Sequence, residues 1–244
     1  MANWKVMIVG MGLINNAIHN ANRNALVGVS LPELDASIEE IRAIQKKLKV
    51  KLSKGYKDFL LHSNGWEFFY QDVDLFGTGD LEPDSDKMKR AMAMLEIKMA
   101  GNSELRKMKG KTLPIAVSRD DDEGWLILLV TEGKNFGKII WFVEENMGWV
   151  DSFEDFFIAM MECNRDILES VLREQIAAGK VPDTVWMGVG YPFRVVSKQH
   201  LEDLRTGKET YYPLSFKPVG EIIFERENYD KEKPSDDWDG NGKS

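Results

Sequence analysis

The fold is decided by residues 44–66, which read IQKKLKVKLSKGYKDFLLHSNGW. One helix ends near Leu48, and a second begins at Ser53, because a serine hydroxyl accepts a hydrogen bond from the free N–H groups of a first helical turn. The pair Asn64-Gly65 predicts the end of the second helix, since both residues tolerate a left-handed backbone. The predicted buried face of this helix carries Tyr56, Phe59 and Leu60.

The preceding helix has a predicted start at Ser37. Ser37 and Glu40 have the spacing of a capping box, in which each side chain accepts a hydrogen bond from the other residue's backbone N–H. Apolar residues then recur at helical spacing and predict one buried stripe. They are Ile38, Ile41, Ile44 and Leu48.

The middle of the chain alternates between helical and strand-like segments. Further helices are predicted over residues 85–99 and from Ser152, which forms a cap with Asp155. The strand-like segments are apolar, aromatic and β-branched. They cover residues 66–70, 73–76, 113–117, 125–130, 139–143 and 149–150. This order predicts an α+β fold, with a twisted, mainly antiparallel or mixed sheet packed with helices.

The two ends of the chain have a different character. Residues 4–9 predict a short strand or buried apolar segment, and the Asn-rich residues 15–24 predict irregular structure. After the central part, residues 166–178 continue a helix, whereas residues 185–196 and 211–224 are β-prone. The predicted parts are therefore an N-terminal segment (1–30), a central domain (31–165), a C-terminal α/β extension (166–227) and a disordered tail (228–244).

The central part resembles the SUKH superfamily. In that pattern, a helix leads through a Leu-hydrophobic-Leu segment into a Tyr-Lys-x-Phe-Leu helix that ends in Asn-Gly. The matching residues are Leu48, Val50, Leu52, Tyr56, Lys57, Phe59, Leu60, Asn64 and Gly65. Four later segments resemble the family pattern in the same order, namely residues 75–77, 113–116, 138–139 and 152–156. The chain departs from the pattern at Ser53, Lys49 and Gln45, where the family usually has Pro and Gly and often Glu, so details of the turns differ.

The resemblance implies binding rather than catalysis. Many SUKH proteins look like immunity proteins that neutralise a nuclease or deaminase toxin by direct one-to-one binding. Others resemble Smi/Knr-type regulators that hold signalling partners. The resemblance therefore implies a non-enzymatic immunity protein, with a regulatory scaffold of the Smi/Knr type as the alternative.

The charge and the cysteine content of the chain limit the classes of partner and the compartment that we expect. The chain has a formal net charge of -8 and a pI near 5.1, which disfavours general binding to nucleic acid and favours a basic protein such as a toxin domain. The single cysteine, Cys163, excludes an internal disulfide and is typical of a reducing compartment, so we expect a cytoplasmic protein. No apolar run approaches the roughly 20 residues of a membrane span.

The candidate partner-binding residues are mainly acidic. Asp120, Asp121, Asp122 and Glu123 form the densest acidic run, between two predicted strands, and Glu144 and Glu145 follow another strand. The first run is a solvated turn, an acidic hairpin tip that binds a basic toxin surface, or a metal site. Trp66 either anchors a partner or belongs to the core. Residues 186–194 form an aromatic partner-binding loop or the core of an extra lobe.

Few residues suggest an enzyme. Gly10 and Gly12 follow an apolar segment as in a dinucleotide-binding turn, but Asn15 stands where that motif has its third glycine. A tight turn after a strand is the simpler interpretation. The histidines are far apart in sequence, Cys163 has the surroundings of a core residue, and no nucleophile, P-loop or metal motif is present. We therefore predict no catalytic residue, cofactor or metal.

Overall fold

The computed structural model describes residues 3–21, 28–119, 124–143, 146–177, 186–187 and 194–195. Within these residues the chain forms helices, one six-stranded sheet and a pair of two-residue strands. The helices are α1 (Trp4–Ala21), α2 (Ile38–Leu48), α3 (Lys54–Leu60), α4 (Asp86–Gly101), α5 (Ser103–Arg106) and α6 (Phe153–Ala177). The strands of the sheet are β1 (Trp66–Tyr70), β2 (Val73–Leu75), β3 (Thr112–Ser118), β4 (Leu126–Val130), β5 (Ile139–Val143) and β6 (Asn146–Val150). The short pair is β7 (Trp186–Met187) and β8 (Arg194–Val195).

The sheet is antiparallel throughout, and its spatial order is the sequence order β1 to β6. The predicted α+β fold is therefore confirmed. Because each strand reverses direction, the chain passes from β1 to β2, from β3 to β4 and from β5 to β6 at one end of the sheet. We call this the turn end.

Helices cover the sheet on both faces. Helix α4 packs against β3 and β4, and its Arg90 approaches the buried Asp74 of β2 on this face. On the opposite face, Phe69 of β1 stacks against Phe156 and Phe157 of α6. Helices α1 and α3 pack in turn against α6.

The predicted helix caps are present. The Ser37 hydroxyl accepts a hydrogen bond from the Glu40 N–H, and the Glu40 carboxylate accepts one from the Ser37 N–H, which completes the capping box. The hydroxyls of Ser53 and Ser152 accept hydrogen bonds from the N–H groups three residues later. These side-chain acceptors account for the helix starts that the sequence predicts.

Two parts of the family-like signature meet in space. The Tyr56 hydroxyl donates to the Phe76 carbonyl at 2.7 Å, and the Asn64 side chain forms hydrogen bonds with both the N–H and the hydroxyl of Thr78. Gly77 lies against the Asn64 carbonyl so closely that a β-carbon there would be 1.8 Å from the oxygen. The two glycine-containing segments are therefore fitted to each other.

The strand and the irregular chain predicted for the N-terminal segment are wrong, whereas the alternative of a buried apolar segment agrees with the burial of Trp4 and Ile8. Residues 4–9 and 15–21 form one helix, α1, and not a strand followed by irregular chain. Its apolar residues recur at helical spacing and are buried, namely Trp4, Ile8, Met11, Ile14 and Ile18. Packing against α6 outweighs the low helix propensity of its asparagines and glycines.

This correction also removes the predicted glycine turn. Gly10 and Gly12 lie inside α1, and Gly12 faces the Trp66 ring, which a β-carbon would meet at 3.7 Å. A dinucleotide-binding turn needs its glycines between a strand and a helix, so this segment lacks the required geometry. Most of the predicted extension after residue 177, including most of residues 186–194, and the whole predicted tail lie outside the described residues.

Candidate functional site

A β-bulge in β1 shapes the surface near the turn end. The register between β1 and β2 shifts between Trp66 and Tyr70, and Phe68 has a positive φ of 51°. The bulge lets neighbouring side chains take different environments. Phe69 is fully buried among the aromatic rings of α6, whereas the Phe68 ring stacks under the guanidinium of Arg119 at 3.7 Å.

The buried carboxylate of Asp74 holds this bulge in place. Its Oδ1 accepts hydrogen bonds from the Phe68 N–H at 3.1 Å and from Nε and Nη2 of Arg119 at 3.1 and 3.0 Å. A second cation, Arg90, lies 3.7 Å from its other oxygen. A buried carboxylate needs such compensation, because removing it from water without a partner is costly.

The positive charge of Arg119 is compensated by carboxylates of the same chain. Its Nη2 also donates to Glu67 at 2.7 Å, and that hydrogen bond holds the pKa of the Glu67 carboxyl below its usual range. Lys87 is 3.4 Å from the same carboxylate. Within the described residues, these cations are matched by acids.

The strands that flank both predicted acidic segments have their ends at the turn end. Ser118 of β3 donates its N–H to the Trp125 carbonyl across the first gap, and Val143 of β5 pairs with Asn146 of β6 across the second. Asp120, Asp121, Asp122, Glu123, Glu144 and Glu145 themselves lie outside the described residues. The strands that flank the two runs are nevertheless close together. Strands β4 and β5 are neighbours in the sheet, and neighbouring strands are about 4.8 Å apart. Asp72, in the turn between β1 and β2, lies at the same end.

A row of aromatic side chains crosses the sheet near this end on the α6 side. The Tyr70 and Trp125 rings are 5.2 Å apart, and the Trp125 and Trp141 rings are 5.7 Å apart. Tyr70 is buried, whereas both tryptophans are partly exposed. We call Tyr70, Trp125 and Trp141 the aromatic row.

Acidic groups of α6 lie close to the aromatic row. Burial raises the pKa of the Tyr70 hydroxyl to about 12, and the nearby Cys163 and Asp166 add to that effect. Burial also raises the pKa of the Glu162 carboxyl and that of Asp166. A cation that approaches this surface would favour the charged form of both carboxyls.

The structure settles the position of Trp66. Its side chain is 1% exposed, contacts Phe69, and donates from Nε1 to the Ser30 carbonyl at 3.1 Å. The core alternative therefore applies, and the indole is not accessible to a partner. Gly12 of α1 also faces the Trp66 ring.

Sequence reasoning missed the residues that best fit a binding surface. Trp125 and Trp141 come together only through strand register, and Phe68 faces Arg119 only because of the bulge. One signal was available, because Arg119 directly precedes the acidic run. An arginine at that position suggests a local charge network rather than an isolated acidic turn.

Three other features of the described residues fit a functional site less well. Burial raises the pKa of the Cys163 thiol, which opposes the thiolate form that reactive cysteines use. No group of three or more potential metal ligands occurs within the described residues. A groove of about 290 Å³ lies between α2 and α3, with Ile38, Ile41 and Leu61 beside Arg42 and Lys57. Asp58 also lines the groove, but the two cations outnumber it and make the groove a poor match for a basic partner.

Comparison with known proteins identifies one family. The family model described as the SMI1 / KNR4 family (SUKH-1) matches residues 35–159, a little more than half of the 244-residue chain. The match includes the capping box of α2, the complete sheet and the start of α6. No curated protein matches the chain. Among the helices in the described part of the chain, none combines the length and apolar character needed to cross a bilayer.

Proposed function

The chain belongs to the SMI1/KNR4 family (SUKH-1), and we propose that it is a non-enzymatic immunity protein that neutralises a basic toxin by direct binding. The toxin would be of the nuclease or deaminase type, whose own substrate is an anion or is carried on one. Such a toxin needs a basic surface around its active site. An acidic protein that covers this surface would exclude the substrate.

The observation that carries the proposal is that the strands flanking both acidic runs end beside partly exposed tryptophans. The acidic runs follow β3 and β5 in sequence, and Asp166 of α6 lies near Tyr70 of the aromatic row. Acidic side chains would speed the encounter with a basic partner and select against acidic ones. Trp125 and Trp141 would then supply the apolar contacts that hold the complex together.

Co-purification tests the proposal most directly. The tagged full chain is isolated from its native cells at moderate salt, and the bound proteins are identified by mass spectrometry. We expect one stoichiometric partner with a basic toxin domain. Several sub-stoichiometric host proteins would instead support a regulatory scaffold of the Smi/Knr type.

Charge reversal then tests the surface. With the purified partner, replacing Asp120, Asp121 and Asp122 by lysine should weaken binding at least about tenfold and flatten its dependence on salt. A matched control reverses Asp86, Glu104 and Glu132, which are exposed acidic residues outside this surface. Equal affinity for both triple variants would refute the acidic surface.

A further inference from the structure

The two edge strands of the sheet, β1 and β6, differ in whether another chain segment covers them. Along β1, the Ser30 hydroxyl donates to the Glu67 carbonyl, the Ser30 carbonyl accepts from Trp66, and the Glu33 N–H donates to the Gly65 carbonyl. This segment covers that edge. Strand β6, by contrast, has β5 as its one strand partner within the described residues. An uncovered edge presents unpaired N–H and C=O groups to another strand.

Strand β6 also exposes large apolar side chains. Met147 is 48% and Trp149 60% exposed, and side chains two residues apart lie on the same face of a strand. The Asn102 side chain contacts the Met147 sulfur at 3.6 Å, which places both residues on the α4 side. Contiguous exposed apolar groups on an open edge indicate an interaction surface.

Gly148, the residue between Met147 and Trp149, has no side chain to cover the α6 face of β6. The Trp141 ring lies over Gly148 so closely that a β-carbon would meet ring atoms at 2.1 Å. Because Trp141 is on the neighbouring strand and pairs with Gly148, its ring takes the place of a side chain. Because Gly148 has no side chain of its own, the backbone of another strand can approach β6 closely at this position.

We propose that β6 pairs in antiparallel fashion with β6 of a second copy of this chain, with Gly148 at the two-fold axis. In this register Met147 lies opposite the partner's Trp149, and Trp149 lies opposite the partner's Met147. Directly opposite side chains are about 5 Å apart, and a methionine sulfur packs well against an aromatic ring. The sequence is thus complementary to itself about Gly148.

In this register Asp151 lies opposite position 145 of the partner, which is also acidic, but Asp151 is paired with a cation within its own copy. Lys138 lies 4.7 Å from the centre of the Trp149 ring and forms an ion pair with Asp151 at 2.6 Å. Its charge is already matched within one copy. No charged residue occurs within β6 itself, whose sequence is NMGWV, so the strand lacks the charges that often protect edges.

The pairing has a consequence for the arrangement of the two copies. A two-fold axis through Gly148 reverses the strand direction, so the turn ends point in opposite directions along one continuous sheet. Residues 144–145 directly precede β6, so the pairing strand and one acidic run are neighbours in sequence. The dimer does not rest on the proposed function, because it is argued from the outer edge of β6 and not from the acidic runs.

The interface is small. Five residues from each copy give less area than the roughly 800 Å² per partner of standard stable interfaces. The dimer should therefore be weak and depend on concentration. Sedimentation velocity of the full chain over a concentration series should show a reversible shift from monomer to dimer.

One double variant and a control locate the contact. Met147→Lys combined with Trp149→Lys should weaken dimerisation at least about tenfold, because like charges would meet across the axis. Ile97→Lys is the control, since Ile97 is 67% exposed on α4, outside β6. The control should keep the dimer, and circular dichroism checks that each variant is folded.

Cross-linking gives a second measurement. A chain with Met147→Cys and a chain with Trp149→Cys, mixed under mild oxidation, should form a disulfide between positions 147 and 149, located by mass spectrometry. A monomer at every concentration, a dimer that survives the double lysine variant, or equal loss in the Ile97→Lys control would overturn the proposal. Absence of the 147–149 link in a dimer would overturn the register.

Discussion

Asn15 and Asn164 donate hydrogen bonds from their side-chain amides to the same acceptor, the carbonyl oxygen of Phe69, at 3.2 and 3.3 Å. The Asn164 amide also donates to Asn15 Oδ1 at 2.7 Å. The β-bulge next to Phe69 disrupts the hydrogen-bond ladder of β1. The two asparagines, from α1 and α6, therefore satisfy a buried carbonyl that the sheet leaves without its regular partner.

Removing either asparagine should destabilise the fold. Asn15→Ala leaves the Asn164 amide without its acceptor on Asn15, and a buried polar group that loses its partner costs about 1–3 kcal/mol. We expect the free energy of unfolding in urea to fall by about that amount. The double variant with Asn164→Ala should lose less than the sum of the two, because the residues share one network.

Asn16→Ala is the matched control for this prediction. Asn16 is the next residue of α1 and is exposed, so its replacement should change the free energy of unfolding by no more than about 0.5 kcal/mol. Equal losses for Asn15→Ala and Asn16→Ala would mean that the buried network contributes little.

The sequence predicts α2 and α3 well because their signals are local. Ser37, Glu40 and Ser53 act on backbone groups within three residues, and the buried faces follow from spacing alone. Helix α1 was missed for the opposite reason. Its asparagines and glycines have low helix propensity, and the helix that stabilises it is more than 100 residues away in sequence.

The candidate surface was only partly predictable. The acidic runs can be identified directly from the sequence. The order of the antiparallel strands brings their flanking residues to the turn end. The contacts of Trp125 with Tyr70 and Trp141 depend on strand register, which hydrophobic alternation fixes only together with the turns. The stacking of Arg119 on Phe68 depends on a single backbone φ at the bulge.

Gly77→Ala should be strongly destabilising. The added β-carbon would lie 1.8 Å from the Asn64 carbonyl oxygen, and this backbone atom cannot rotate away as a side chain would. We expect a loss of about 3 kcal/mol or more in the free energy of unfolding, the upper range for overpacking. Chemical denaturation measures it.

Gly79→Ala provides the comparison. Gly79 is exposed, and a β-carbon there would have no atom within 4 Å. Its replacement should be nearly neutral. A small effect at Gly77 as well would show that the contact between the two glycine-containing segments adjusts easily.

Arg119→Ala should destabilise the bulge through Asp74. The variant removes two hydrogen bonds from a carboxylate whose side chain is 2% exposed, and leaves Arg90 at 3.7 Å as its nearest cation. Removing one partner of a buried ion pair costs about 3–5 kcal/mol when compensation is lost. Because Arg90 remains, we expect about 3 kcal/mol by urea unfolding.

Adding Asp74→Asn to this variant should restore part of the loss. The amide oxygen of asparagine still accepts from the Phe68 N–H, but no buried charge remains without compensation. If Arg119→Ala and the double variant were equally unstable, the lost stacking on Phe68 would be the larger effect.

Glu162 should reduce stability at neutral pH. Burial raises the pKa of its carboxyl, against the opposing effect of Arg165 at 2.5 Å. A carboxyl with a raised pKa in the folded state contributes stability that is fully present below its unfolded pKa. That contribution is lost as the pH rises through the folded pKa.

Glu162→Gln should therefore raise the melting temperature at pH 7, by roughly 1–2 °C, and leave it nearly unchanged near pH 3, below the unfolded pKa, where the wild-type carboxyl is protonated in both states. Glu104→Gln is the matched control, because Glu104 also pairs with a cation three residues later but is 69% exposed. Its effect at pH 7 should be zero or slightly negative, since exposed ion pairs contribute little. A lower melting temperature for Glu162→Gln at pH 7 would mean that the ion pair with Arg165 outweighs the cost of burying the carboxylate.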